Sequence, residues 1–273
     1  MSSPDLAEFY DLHPFDWVRS SSPADMDSIV ARPLAEFIRS LDEGALVLDI
    51  GCGPGRVLGL LAQRGTRCIG LDRSRVSVQM ARNRYGRPTI VADNLKLPLA
   101  DGMADAVISD GVIHHTNDPL ASFTENCRVL KPGARMYLAV YKPTGRYPFL
   151  YKHPGALIRR GLQHSWSRPL VFLFGKIPYF LFHFARSKGR RTWGEAQNLF
   201  YDYFVTPLVA FLPRQLVEEW SGTCGVRVVQ YEENPGLNIH SFLCLKEDKE
   251  ESQHSSGSKA ESHGSSLHRR EIQ

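Results

Sequence analysis

The feature that most constrains this chain is a short apolar run, Ala45–Ile50, that ends in Gly51-Cys52-Gly53-Pro54-Gly55 and leads into a helical stretch, Arg56–Arg64. A glycine-rich turn between a first strand and a first helix marks the ligand-binding edge of a doubly wound sheet. Glycines let a ligand touch the backbone, and the helix start offers free N–H groups. Pro54 beside the helix start suits its fixed φ.

The rest of the pattern agrees. Strand-like runs at Cys68–Leu71, Thr89–Val91, Ala104–Ser109 and Arg135–Val140 alternate with helical runs at Ser74–Tyr85 and Leu120–Leu130. Parallel strands need crossovers, so this rhythm predicts an α/β fold with a parallel sheet. Lys131-Pro132-Gly133 reads as a turn. Pro213–Gly222 reads as a helix, and Val226–Tyr231 and Ile239–Leu245 as two closing strands. Ahead of the core, a helix is expected over Pro23–Leu41, preceded by an aromatic leader with Tyr10, His13 and Trp17. These three residues form a flap over the ligand or pack the leader onto the body. The organisation expected is a leader and helix at 1–44, a core at 45–141, an insertion at 142–205, the end of the sheet at 206–245 and a tail at 246–273. The tail is nearly devoid of apolar residues, and disorder is expected for it.

The spacing of the turn decides between ligands. A dinucleotide fingerprint needs glycine at position 56, where this chain has Arg56. No Gly-Lys-Ser/Thr of a phosphate loop is present. The pattern is instead Asp49-x-Gly51-x-Gly53-x-Gly55, and four further stretches follow in order. They are Ile69-Gly70-Leu71-Asp72-Arg73-Ser74, then Val91-Ala92-Asp93-Asn94-Leu95-Lys96-Leu97-Pro98, then Ala104-Asp105-Ala106-Val107-Ile108-Ser109 with Gly111-Val112-Ile113-His114-His115, and then Leu130-Lys131-Pro132-Gly133. Over residues 45–140 this ordered set resembles the class I S-adenosylmethionine-dependent methyltransferases, in particular their methyltransferase type 11, ubiquinone/menaquinone-like branch.

The resemblance implies a Rossmann-like sheet of seven strands with the last antiparallel, and a helical lid insertion between strands five and six. It implies S-adenosyl-L-methionine as cofactor and no metal. Asp49 would orient the methionine ammonium, and Gly51 and Gly53 would pack on the methionine and ribose. Asp72 would hold the ribose hydroxyls, a role for which a carboxylate is suited because it accepts from both. Arg73, Asp93 and Asn94 would surround the adenine, and Ser109 and Asp110 would line the floor near the sulfonium. The branch carries no fixed catalytic residue. Asp110, His115 and Tyr201 are the candidates, since the sulfonium is already activated and a base is needed only if the acceptor must lose a proton. His114 is expected to pack or to cap the next helix, and Cys52 to be merely small.

The acceptor side lies in the insertion. Residues 142–192 hold Lys142, Arg146, Lys152, Arg159, Arg160, Arg168, Lys176, Arg186, Lys188, Arg190 and Arg191, and no Asp or Glu occurs between Glu125 and Glu195. The net charge of the whole chain is only +4, so the cationic character is local. The run Leu170–Phe184 is apolar on nearly all sides. It is too short, and too broken by Lys176 and Pro178, to cross a bilayer. Three uses fit it: a lid over the substrate, interfacial contact with an anionic membrane, or RNA binding. Leu199–Pro207, with Tyr201, Asp202 and Tyr203, resembles an acceptor-side element of bacterial type 11 enzymes. The five cysteines are widely spaced without a CxxC pair, which reads against a disulfide framework or zinc site. Met1–Phe9 is polar and acidic, unlike a secretory signal. A cytoplasmic enzyme, membrane-associated through 142–192, is the expected setting.

The function expected is methyl transfer to a small-molecule or lipid-like acceptor. The alternatives are a tRNA-modifying methyltransferase, suggested by the likeness of Ile113-His114-His115 to wobble-uridine enzymes, and a non-catalytic partner protein with the same fold. A nicotinamide oxidoreductase is disfavoured by Arg56.

Overall fold

The computed structural model describes residues 6–16, 30–186, 192–234 and 237–248. Trp17, the first part of the helix expected from Pro23 and the tail beyond residue 248 lie outside the described residues.

Seven strands form one sheet in the order β3-β2-β1-β4-β5-β7-β6. They are β1 (Leu46–Ile50), β2 (Arg67–Asp72), β3 (Thr89–Val91), β4 (Ala104–Asp110), β5 (Leu130–Tyr141), β6 (Val226–Glu232) and β7 (Ile239–Lys246). β1 to β5 pair in parallel, while β7 runs antiparallel to both β5 and β6. Val47, Leu48 and Ile50 are all buried, as expected of a strand covered on both faces. β1 pairs with β2 on one side and β4 on the other, so the strand order reverses at the β1/β4 boundary. The carboxyl ends of these strands open into the crevice where such sheets bind ligands.

Each crossover helix begins for a local reason. α1 (Leu6–Leu12) and α2 (Arg32–Arg39) precede the sheet. α3 (Arg56–Gln63) starts from Gly55, whose φ of +94° favours glycine. α4 (Arg75–Tyr85) is capped by the Ser74 hydroxyl, which accepts from Ser77 N, and it stops at Gly86, φ +62°. α5 (Pro119–Val129) has the Asp118 carboxylate on Ala121 N and proline in its first turn. One core, with Leu34, Ile38, Leu58 and Tyr137, lies on one face of the sheet. The other, with Leu48, Val107, Phe123, Leu138 and Phe242, lies on the opposite face.

One expected turn belongs to a strand. Lys131-Pro132-Gly133 lies within β5, which starts five residues before the expected Arg135. Ala104 faces Leu130 and Ala106 faces Arg135, so the three residues bulge out between ladder positions. Gly133, at φ +72°, permits the bend, and the bulge accommodates a proline that has no N–H to give.

The stretch after β5 is helical: α6 (Tyr147–Lys152), α7 (Pro154–Leu162), α8 (Arg168–Val171), α9 (Ile177–Arg186) and α10 (Trp193–Phe200). Two π-turns interrupt it, Phe172–Lys176 and Tyr201–Val205. Phe180, Ala196, Phe200 and Phe204 form its own small core. α11 (Arg214–Thr223) then returns the chain to the sheet.

Candidate active site

The glycine-rich turn is pinned to the next strand. Leu71 O accepts from both Gly51 N (2.7 Å) and Cys52 N (2.9 Å). Gly51 has φ +74°, and a Cβ there would sit 2.3 Å from Val112 Cγ2, so no other residue fits without displacement. Gly53 N donates to Asp72 Oδ2 at 2.9 Å, and Ser74 N donates to Asp72 Oδ1 at 2.8 Å. The Asp72 carboxylate is thereby aimed, and each oxygen retains a lone pair for a further donor. Burial dominates its electrostatics and raises its pKa despite these bonds.

Asp93 Oδ1 accepts from Leu95 N at 3.0 Å, an Asx turn, and its other oxygen lies 3.8 Å from Arg73 Nη1. Asn94 is only 8% exposed, and neither its amide oxygen nor its nitrogen has a partner. A buried amide left so is costly, and a ligand edge with a donor and an acceptor would satisfy it.

Asp49 is buried at the end of β1, and its Oδ2 has no partner. Burial, aided by the nearby Asp110 charge and opposed by Arg56, pushes its pKa up to about 7. The Arg56 guanidinium forms an ion pair with Asp110. Ser109 is fully buried with its hydroxyl unpartnered.

These groups edge a cavity of about 800 Å³. Gly51, Gly53, Asp72, Arg73, Asp93, Asn94 and Asp110 line it; Asp49 and Ser109 stand behind the wall, in the strands that lead to Gly51 and end in Asp110. The same cavity reaches His115, Tyr141 and Asp202. Asp202 Oδ1 accepts from Tyr141 Oη at 2.6 Å and Tyr147 Oη at 3.2 Å. Burial outweighs these two bonds and raises the Asp202 pKa to about 6. His115 Nδ1 is 2.9 Å from Leu208 O, so this nitrogen must carry the proton and Nε2 holds the free lone pair. Burial lowers its pKa to about 4, so the ring is neutral at pH 7. His114 is buried, accepts from Tyr141 N through Nδ1 (3.3 Å) and does not line the cavity.

The leader covers this space. Tyr10 and Phe15 line it, and the Tyr10 hydroxyl is buried without a partner. Asp11 holds α1 to the start of α4 by accepting from Ser74 Oγ (2.6 Å) and Val76 N (3.1 Å). Asp16 pairs with Arg84 at 2.9 Å, and its backbone oxygen accepts from Asn198 in α10 (3.0 Å). The leader therefore bridges core and insertion.

Tyr201 lies outside the cavity lining. Its ring stacks on His13 at 4.1 Å, and its neighbour Asp202 takes the inward position. Tyr203 accepts from Asn238 instead. Tyr141 gave no sequence signal beyond ending an apolar strand, and its value lies in reaching Asp202, 61 positions away.

Residues 48–138 match the family described as the methyltransferase domain, which does not single out the ubiquinone/menaquinone branch. The chain is 35% identical over 143 residues to the probable tRNA methyltransferase 9B of Mus musculus, 50% of this chain and 31% of that protein. It is 35% identical over 113 residues to a tRNA (carboxymethyluridine(34)-5-O)-methyltransferase of Arabidopsis thaliana, covering 40% of this chain and 27% of that one. It thus spans less than a third of the length of these relatives. Among solved structures, a chain from the complex of the Haloferax volcanii Trm112 methyltransferase activator with a methyltransferase aligns with a TM-score of 0.54 at 17% identity. That alignment covers 86% of this chain and 98% of the other, and it speaks to the fold. Residues 48–138 are thus a methyltransferase domain, set in the seven-stranded Rossmann-like sheet of that fold.

Proposed function

We propose that this chain transfers a methyl group from S-adenosylmethionine to a small-molecule or lipid-like acceptor seated against His115, Tyr141 and Asp202. The observation that carries the reading is the single cavity that joins Asp72 and Asn94 at one end to Asp202 and His115 at the other. Asp72 would hold the ribose hydroxyls, Arg73, Asp93 and Asn94 the adenine, and Gly51, Gly53 and Asp110 the methionine end, with Asp49 behind that wall acting on the ammonium directly or through water. The unpartnered atoms of Asn94 and Asp49 and the open space beside Gly53 fit such a ligand. Bound there, the cofactor supplies a methyl group already activated by a positive sulfur.

The protein's tasks are then to position, to exclude water and to move one proton. His115 Nε2, unprotonated at neutral pH, can accept a proton from a nucleophile. Asp202, tied to two phenols, can hold a hydroxyl or ammonium of the acceptor. Tyr10 and Phe15 close the cavity from above. The cationic, aromatic insertion extends the reading to a peripheral place at an anionic membrane. No helix among the described residues is long and apolar enough to cross one.

A second reading, methylation of tRNA, is favoured by the names of the relatives. A labelled-methyl assay on cell extract, fractionated into lipid, RNA and small molecules, separates the two. Label in lipid or small molecules supports the proposal. Label confined to RNA replaces it with the second reading, and calorimetry without saturable S-adenosylmethionine binding removes both.

A further inference from the structure

We infer that the helical stretch Arg168–Arg186 lies in the headgroup layer of an anionic lipid bilayer and brings the cavity to the membrane surface. The inference rests on the lipid-like branch of the acceptor reading for its purpose, and on the surface alone for its existence.

α8, the π-turn Phe172–Lys176 and α9 follow one another without a break. Only one side of this stretch is turned inward. Phe180, 1% exposed, packs edge-on against Trp193 at 4.2 Å and beside Phe200. Val171, Gly175, Tyr179 and His183 are half-buried at the same helical spacing. The remaining side is open: Leu173 is 52% exposed, Phe174 73%, Leu181 63%, Phe182 58% and Phe184 61%. One exposed leucine means little, but large apolar side chains gathered along one helical stretch mark a contact surface.

The charges say what the contact is. Arg168 and Arg186 bracket the apolar stretch, and Arg160 and Lys152 are exposed on the preceding helices. The sequence offers no Asp or Glu from 126 to 194 to neutralise them. Apolar rings below and long cationic side chains at the margins suit the boundary between acyl chains and anionic headgroups. A nucleic-acid surface would instead put its cations on the open face, where this one puts Leu and Phe. A second copy on the same face would set arginine margins against each other with no acid between.

The surface also touches the site. Lys176 Nζ lies 5.2 Å from the Tyr201 ring centre and 5.5 Å from that of Phe180. Tyr201 begins the second π-turn, whose next residue, Asp202, faces the cavity. The bilayer-facing helix thus packs on the segment that supplies the acceptor wall.

The test is flotation of the full chain with vesicles of phosphatidylcholine alone and of phosphatidylcholine mixed with phosphatidylglycerol. Binding to the mixed vesicles is expected to exceed binding to the neutral ones by about tenfold and to weaken with salt. The exposed Trp166 and Trp193 should shift their fluorescence to the blue on binding. Phe174→Glu combined with Phe182→Glu should lose about tenfold or more of the vesicle binding, and keep S-adenosylmethionine binding by calorimetry. Where that pair fails to fold, the wild-type comparison of the two vesicle types still decides. No binding to anionic vesicles overturns the inference, as does binding unchanged by the two substitutions. A dimer in sedimentation that the substitutions dissociate, or vesicle binding that tRNA fully displaces, overturns it too. Loss of donor binding in the wild-type chain would sink the methyltransferase reading while leaving the vesicle result standing.

Discussion

The Arg56 guanidinium is ion-paired with the Asp110 carboxylate, joining the first residue of α3 to the last residue of β4. The pair takes the place that a third glycine holds in dinucleotide folds, and it sets the field around Asp49. Arg56 favours the ionised form of Asp49, and Asp110 opposes it more strongly. Asp110→Asn removes that opposition. The pH midpoint of donor binding should therefore move to lower pH, which calorimetry over a pH series would register; an unmoved midpoint would show that Asp110 does not act through Asp49.

Asp49 itself predicts proton linkage. Its folded pKa, about 7, exceeds the ordinary 3.8, so the folded state binds the proton more tightly. Its contribution to stability is full below the unfolded value and is lost as pH rises through about 7. A ligand ammonium favours the carboxylate and reverses the balance. Binding of S-adenosylmethionine near neutral pH should release a proton. Affinity should fall by up to about tenfold per pH unit below the folded pKa. Titrations in buffers of different ionisation enthalpy measure the released proton, and Asp49→Asn should abolish it.

Asp72→Asn keeps the shape but replaces one accepting oxygen with a donor. It sets an amide N–H against Gly53 N or Ser74 N, and it leaves fewer acceptors for hydroxyls. Affinity for S-adenosylmethionine and for its demethylated product should fall alike, by about 10- to 100-fold. A loss confined to the methylated form would place Asp72 at the sulfonium instead.

Asp202 and His115 predict the pH profile of turnover. Asp202 ionises near 6, and His115 stays neutral down to about 4. The rate under saturating donor should fall as pH drops through about 6, with no further break where an ordinary histidine titrates. Asp202→Asn should lower kcat by about 10- to 100-fold, remove that break and leave donor affinity intact. His115→Gln should lower kcat without shifting the break at 6.

Gly51→Ala tests the turn. The added Cβ meets Val112 and must adopt φ +74°, so a loss of about 2–3 kcal/mol in unfolding free energy is expected. Adding Val112→Ala relieves the clash but not the dihedral, and should restore about half of the loss in thermal unfolding.

The end of the cavity with Gly51, Asp72 and Asn94 was legible because its signals are local. Each of these residues ends or follows a strand, and the parallel order alone gathers strand ends on one edge. The resemblance implies Ser109 on the floor, yet alternation turns it away from the cavity while Asp110 faces in. The end with Tyr141 and Asp202 was less legible because its contacts are distant. Tyr141 meets Asp202 only after helices 147–200 have folded back, and a π-turn shifts which of Tyr201 and Asp202 points inward. Helical periodicity of 3.6 carries no notice of such a turn. The leader's hold on Ser74 through Asp11, across 63 positions, was equally silent.

The antiparallel β7 lies between β5 and β6, so β5 gains its second neighbour only from residues 239–246. On the ribosome, β5 is complete at Tyr141 and must wait while about a hundred further residues are made. At 5–20 residues per second that wait is roughly 5–20 s, with the edge Arg135–Tyr141 that β7 later covers left unpaired. A nascent chain halted after Tyr141 should recruit holdase chaperones or aggregate through that edge, and one released after Lys246 should not. The chain is therefore most exposed to wrong pairing during the interval in which residues 142–246 are made.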